Sequence, residues 1–165
     1  MEHLWSPWRL AYITGGSPAT GCVFCNVLTD PEADPLIVHR GTTCFVILNL
    51  FPYNNGHLMV IPNRHIATLA SATADELREF IELTRDAEIA LTEVFAPHGL
   101  NMGINLGKPA GAGVLDHVHM HVVPRWNGDT SFMTVVGRTR VLPEALPDTA
   151  AKLRPLFQRL RPSGS

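Results

Sequence analysis

The feature that most constrains this chain is the run His117-Val118-His119-Met120-His121-Val122-Val123, in which imidazoles and apolar side chains alternate strictly. A period of two is the pattern of a β-strand, whose successive side chains point to opposite faces. In that conformation the three imidazoles project from one face, about 6.5–7 Å apart, while Val118, Met120 and Val122 face a core. Histidine has little intrinsic reason to occupy three alternate positions, so the run points to chemistry more than to an exposed polar surface. Two chemistries fit: the imidazoles share one zinc ion, or one of them attacks an electrophile.

The loop just upstream, Gly107 to Gly113, bears on that choice. Its glycines let backbone N–H groups approach an anion closely, and Lys108 adds a positive charge. A phosphate held there beside His119 suits a neutral imidazole acting as a nucleophile near pH 7.

The rest of the chain supplies a frame for that strand. Cys44–Leu48 and His57–Ile61 read as strands joined by a turn over Asn49–Gly56. Thr73 and Glu76 form a capping-box pattern ahead of a helix whose Leu77, Phe80, Ile81, Thr84, Ala87, Leu91, Val94 and Phe95 recur every three to four residues. Pro97 and Gly99 stop that helix, and Leu100–Leu106 is extended. A polar turn spans 127–130, and a last helix runs from about Pro143 to Leu160. The expected class is α+β: a mainly antiparallel sheet, one long packed helix and a C-terminal helix.

Composition bounds the possibilities. A chain of 165 residues, 45% hydrophobic and 17% charged, with no internal repeat, reads as one domain over 1–165. Its aliphatic stretches fall far short of the roughly 20 residues of a membrane span. A net charge of −2 argues against coating nucleic acid or an anionic membrane. Residues 1–9 carry neither a basic nor an apolar leader pattern, which makes a cytoplasmic location the expectation.

Cysteines give a second constellation. Cys44 has aliphatic neighbours and reads as core. Cys22-Val23-Phe24-Cys25 is followed by His65 forty residues later and by His117 after fifty-two more. Two thiolates and two imidazoles suit a closed tetrahedral structural zinc, and C-x-x-C by itself also fits a redox pair or two unrelated buried thiols. Trp5, Trp8 and Trp126 fit base stacking, core or an interface between copies, with interface favoured. His3, His39 and His98 read as solvated surface residues. Arg125 fits either a phosphate contact or a surface ion pair.

The residues from His117 to Val123, followed by Pro124-Arg125, resemble the motif of the histidine triad (HIT) family. Asn49-Leu50-Phe51-Pro52-Tyr53-Asn54-Asn55-Gly56-His57-Leu58-Met59-Val60-Ile61-Pro62 is similar to its upstream glycine-histidine segment. Leu4-Trp5-Ser6-Pro7-Trp8-Arg9 and Arg125-Trp126-Asn127-Gly128-Asp129-Thr130 resemble the bacterial branch related to diadenosine tetraphosphate phosphorylases. The resemblance runs from about Leu4 to Leu146. It implies a HIT core over about 20–125, with extensions over 1–19 and 126–165, and a homodimer.

It also implies a nucleotidyl hydrolase or transferase acting on the α-phosphate of an adenine dinucleoside polyphosphate. His119 would be the nucleophile, His121 would contact the phosphate or bridging oxygen, and His57 would stand beside them. Asn49, Leu50 and Phe51 would face ribose and base, while Asn105, Lys108, Gly111, Ala112 and Gly113 would position phosphates. Cys22, Cys25, His65 and His117 would hold a structural zinc, with no catalytic metal implied. Many family members carry Gln, Ser or Thr where Gly113 or Val114 stands here, so backbone donors or Lys108 would have to meet the leaving group. Three other functions are compatible with the residues: a nucleotide-binding regulatory module with weak turnover, a hydrolase of nucleoside phosphoramidates or adenosine phosphosulfate, and a metallohydrolase with zinc on His117, His119 and His121 together.

Overall fold

The computed structural model describes residues 21–30, 35–129 and 143–162. His3, Trp5, Trp8, the Leu4–Arg9 motif and Thr130 lie outside the described residues. The ordered elements are α1 (Val23–Thr29), β1 (Ile37–Arg40), β2 (Cys44–Leu48), β3 (Leu58–Pro62), α2 (Ala74–Phe95), β4 (Gly99–Ile104), β5 (Met120–Arg125) and α3 (Leu146–Leu160).

The five strands form one antiparallel sheet in the order β1-β2-β3-β5-β4. This is an α+β architecture with a long helix and a C-terminal helix. β1 is an edge strand that the sequence reading passed over. Its four residues are too few for periodicity to register, and its pairing with β2 stabilises it.

β2 and β3 are buried along their whole length because both faces of the sheet are covered there. On one face Val46, Leu48, Val60 and Val122 pack against Phe80, Leu83, Ala87 and Leu91 of α2 and Ala150, Leu153 and Phe157 of α3. Cys44 belongs to this core and is fully buried. On the other face Phe45, Ile47, Met59 and Ile61 pack against Phe24 of α1.

The capping box of α2 is formed: the Thr73 hydroxyl accepts from the Glu76 N–H, and the Glu76 carboxylate accepts from the Thr73 N–H. The buried stripe includes Glu76, Phe80, Leu83, Thr84, Ala87, Ala90 and Leu91. Leu77 and Ile81, expected inside, are exposed because they stand to one side of that stripe. α3 starts at Leu146, three residues later than the expected Pro143, and β4 ends at Ile104, not Leu106.

The largest departure concerns the alternating histidines. β5 begins only at Met120, so of the three imidazoles only that of His121 sits on a strand. Met120 is where the ladders to Val60 and Ile104 end. Beyond it the backbone is engaged elsewhere: the Val118 N–H donates to the Ile66 carbonyl at 2.7 Å, and the His117 carbonyl accepts from the ring of His119.

One smaller reading changes, and one left open between two alternatives is resolved. His39 stacks on Phe157, with ring centroids 5.6 Å apart, and so is a packed residue and not a solvated one. Arg125 is an ion-pair residue, bound to Asp129.

Candidate active site

Three imidazoles, those of His57, His119 and His121, define the site, with that of His117 beside them. Gly56 ends the Asn49–Gly56 turn at φ +78°, and a Cβ there would press on Leu91 and Phe95 at 3.1–3.3 Å. This glycine lets the chain turn tightly against α2 and deliver His57, fully buried, to the start of β3. His121 comes from β5, where it pairs with Met59 of β3 and Gly103 of β4. His119 and His117 precede the strand and are both buried.

The rings do not stand 6.5–7 Å apart as an ideal strand would hold them. His119 and His121 meet edge to face with centroids 4.8 Å apart, and His57 and His121 are 5.1 Å apart. The compression follows from His119 lying outside the regular ladder. Its ring turns back so that Nδ1 reaches the His117 carbonyl at 2.9 Å.

The hydrogen bonds set the tautomers. A carbonyl only accepts, so His119 carries its proton on Nδ1 and keeps a lone pair on Nε2. The Tyr53 N–H donates to Nδ1 of His57 at 3.1 Å, which puts the His57 proton on Nε2. That Nε2–H donates to Nδ1 of His121 at 3.0 Å, and His121 in turn carries its proton on Nε2. The result is one imidazole with a free nucleophilic nitrogen beside another that presents an N–H.

Burial disfavours the charged ring in both residues. It pushes His119 below the usual imidazole range and takes His121, with the adjacent His119 adding to the effect, down to about 4. Both rings are therefore neutral near pH 7, the state nucleophilic attack requires.

His117 faces away from this pair. Its Nε2–H donates to the Pro62 carbonyl at 2.8 Å, leaving the Nδ1 lone pair directed at two thiols. Nδ1 lies 3.3 Å from Cys22 Sγ and 3.7 Å from Cys25 Sγ, while His65 Nδ1 lies 3.4 Å from Cys25 Sγ. All four donor atoms fall within 4.8 Å of one another.

A tetrahedral zinc with Zn–S near 2.3 Å and Zn–N near 2.0–2.1 Å requires S···N separations of about 3.5 Å, so the donor set fits that ion. Burial and the neighbouring Cys22 raise the Cys25 thiol above its ordinary value, a cost that a divalent cation would reverse. His117, His119 and His121 do not converge on a common point. His117 has no nitrogen left for such an ion, because its Nε2 is on the Pro62 carbonyl and its Nδ1 is on the two thiols, so the triad is not the metal site that one reading of the sequence allowed.

The remaining expected residues distribute as follows. The Asn49 carboxamide accepts from the Phe51 N–H at 2.9 Å and lies 3.4 Å from His57 Nδ1, so it braces the turn behind His57. Leu50 is exposed and Phe51 half-buried. Lys108 lies in a single 3-10 turn with Pro109 and Ala110, which Gly111 closes at φ +91°, a conformation that excludes a β-branched residue. Ala112 and Gly113 follow in the same loop, and Asn105 opens it.

Asn105 lines a cleft of about 280 Å³ together with His121, Tyr53, Asn101, Arg125 and their neighbours. Tyr53, Asn54 and Asn101 were missed as site residues. Tyr53 stacks on His57, with centroids 4.9 Å apart, and an aromatic residue in a turn two residues ahead of Asn-Gly-His is the only signal that could have marked it.

An antiparallel sheet of this order, with a histidine cluster at the start of β5 and a Cys-Cys-His-His set beside it, defines a narrow structural class. A family model described as "HIT domain" matches residues 30–128. The chain belongs to the histidine triad family. It is 40% identical over 159 residues to the AP-4-A phosphorylase of Mycobacterium tuberculosis, an alignment covering 90% of this chain and 80% of that protein. Among solved structures it is similar to a Zn-bound histidine triad family protein from Mycobacterium smegmatis, with 29% identity, TM-score 0.68, and coverage of 85% of this chain and 95% of the other. A histidine triad nucleotide-binding protein from Sulfolobus tokodaii superposes with TM-score 0.69 at 26% identity, covering 84% of this chain and 93% of its own.

Proposed function

We propose that this protein cleaves adenine dinucleoside polyphosphates, with diadenosine tetraphosphate the leading candidate, at an α-phosphate through a covalent nucleotidyl-histidine intermediate. The observation that carries the reading is the tautomer pair: a neutral, buried His119 with its lone pair on Nε2, 4.8 Å between ring centroids from a His121 whose Nε2 bears a proton. The 40% identity to an AP-4-A phosphorylase supports the substrate class.

Nε2 of His119 attacks phosphorus as the bond to the bridging oxygen breaks, and the electron pair leaves on that oxygen. The N–H of His121 stabilises the charge that develops there, as a fixed donor does without reorganising. Water or inorganic phosphate then attacks the same phosphorus through oxygen, and the phosphorus–nitrogen bond breaks with its electron pair returning to Nε2, which restores His119. The loop of Asn105, Lys108, Gly111, Ala112 and Gly113 is proposed to hold the non-bridging oxygens, and Asn49, Leu50 and Phe51 to flank the nucleoside.

Cys22, Cys25, His65 and His117 are proposed to hold a zinc ion. That ion would tie α1 and the segment after β3 to the approach of β5, and would supply no chemistry to the reaction. The edge strand β4, exposed over most of its length, supports a homodimer. No helix among the described residues is long and apolar enough to cross a membrane, and a cytoplasmic location remains part of the proposal.

Incubation of diadenosine tetraphosphate with and without inorganic phosphate, followed by chromatography, tests the reading. ADP plus ATP formed only with phosphate means phosphorolysis, and AMP plus ATP in both cases means hydrolysis. Either product set formed equally by His119→Ala eliminates the covalent mechanism.

A further inference from the structure

The cleft between β4, β5 and the Asn49–Gly56 turn contains His121 but is not lined by His119. In-line displacement puts nucleophile and leaving group on opposite sides of phosphorus. With His119 attacking and His121 proposed to meet the leaving oxygen, a cleft lined by His121 and not by His119 belongs to the departing side. Its volume of about 280 Å³ is below the roughly 300–1,000 Å³ of pockets that enclose a whole drug-sized ligand, so it suits a fragment of a substrate.

The polar groups of the cleft point to what that fragment is. Its cation, Arg125, is already committed: Nε and Nη2 donate to Asp129 at 2.6 and 2.9 Å, and Nη1 donates to the Asn101 carboxamide at 2.7 Å. Asp129 is fixed in turn by the Asn54 amide at 2.9 Å and the Trp126 N–H at 3.2 Å. A guanidinium held in its own plane by neighbours, with the side chain 44% exposed, offers a flat face for stacking and not a fork for phosphate. Tyr53 is 49% exposed at the same cleft, its ring held by stacking on His57. Carboxamides of Asn101 and Asn105 add donors and acceptors of the kind a base edge uses.

We propose that this cleft seats the purine of the departing nucleoside, with Tyr53 and Arg125 as stacking surfaces. This makes Tyr53 a specificity-determining residue that separates dinucleoside from mononucleoside polyphosphates. The inference rests on the proposed function, since it presumes that the leaving group carries a second base.

The test compares kcat/KM for diadenosine tetraphosphate with kcat/KM for adenosine 5′-tetraphosphate, which shares the attacked adenylyl group but has no second base. Tyr53→Ala lowers the ratio of the two about tenfold, within the range that stacking one base contributes, and Tyr53→Trp keeps it. Disturbance of His57 by the same substitution falls on both substrates and cancels in the ratio. An unchanged ratio in Tyr53→Ala overturns the proposal. If the wild-type protein turns over neither compound, the proposed function fails by itself. Calorimetric binding of the two nucleotides to wild type and Tyr53→Ala then reads the same preference, and equal preference in both proteins overturns the seat.

Discussion

Nε2 of His57 donates to Nδ1 of His121 across 3.0 Å, joining a residue at the start of β3 to one in β5. Because the Tyr53 N–H already occupies Nδ1 of His57, this contact can run in one direction only, and it leaves His121 with its proton on the far nitrogen. On the proposed mechanism His57 acts through its neighbour, setting the orientation and tautomer of His121.

Replacing His57 by Ala should therefore lower kcat about 10²-fold, the lower end of what a positioned proton donor contributes, with little change in KM. Steady-state kinetics gives the split. His57→Gln, whose side-chain amide can still donate, should recover part of the loss, and a purely structural role for His57 would not produce that recovery.

The Cys-Cys-His-His set should bind about one zinc per chain. Cys22→Ser and His65→Ala should each reduce the metal found by elemental analysis and lower the thermal midpoint. Metal retained in full by both variants would rule out this site. Since the His117 carbonyl holds Nδ1 of His119 at 2.9 Å, turnover should fall together with metal content.

The pH dependence of stability follows from His121. Its folded-state value of about 4 lies below the ordinary 6.5, so the unfolded chain binds the proton more tightly than the native protein does. The contribution to stability is complete above about pH 6.5 and is lost as pH falls toward 4. Urea titrations at several pH values in this window should show a steeper decline for wild type than for His121→Asn. Parallel declines would contradict the assignment.

Glu76 has two tasks: it closes the capping box of α2, and it receives Nε and Nη2 of Arg64, next to His65 of the candidate metal set, at 2.8 and 2.7 Å. Arg64 and the Thr73 N–H hold its carboxyl down to about 2. A carboxylate lowered in this way stabilises the fold fully above about pH 4.5, and its contribution disappears as pH falls through 2. Glu76→Gln should cost about 1–3 kcal/mol at pH 7, as lost charge-assisted bonds do, and markedly less near pH 2.5. Denaturant unfolding at the two pH values measures the difference.

α3 is joined to the core by Ala150, Leu153 and Phe157, all fully buried. Leu153→Ala should destabilise the protein by about 2–5 kcal/mol through the cavity it leaves, with kcat/KM nearly unchanged where the protein is folded. A surface-level effect near zero would show that α3 is not part of the cooperative unit.

Alternation at 117–123, the Cys-x-x-Cys pair and the Thr73–Glu76 cap were legible because each is a local rule: strand period, ligand spacing and orphan N–H groups act within a few residues. They suffice for an α+β chain with a histidine-bearing strand, a candidate nucleophile at His119 and a candidate metal set. What the histidines do to one another is not local. The tautomer of His121 depends on which group meets its Nδ1, and that partner, His57, sits 64 residues away. The strand's late start at Met120 depends likewise on ladders from β3 and β4, and the commitment of Arg125 depends on Asp129 and Asn101 meeting across a turn and a neighbouring strand. Side-chain chemistry is written in the chain, whereas proton positions, ring spacing and the spending of charge are set by contacts that exist only once the sheet has closed.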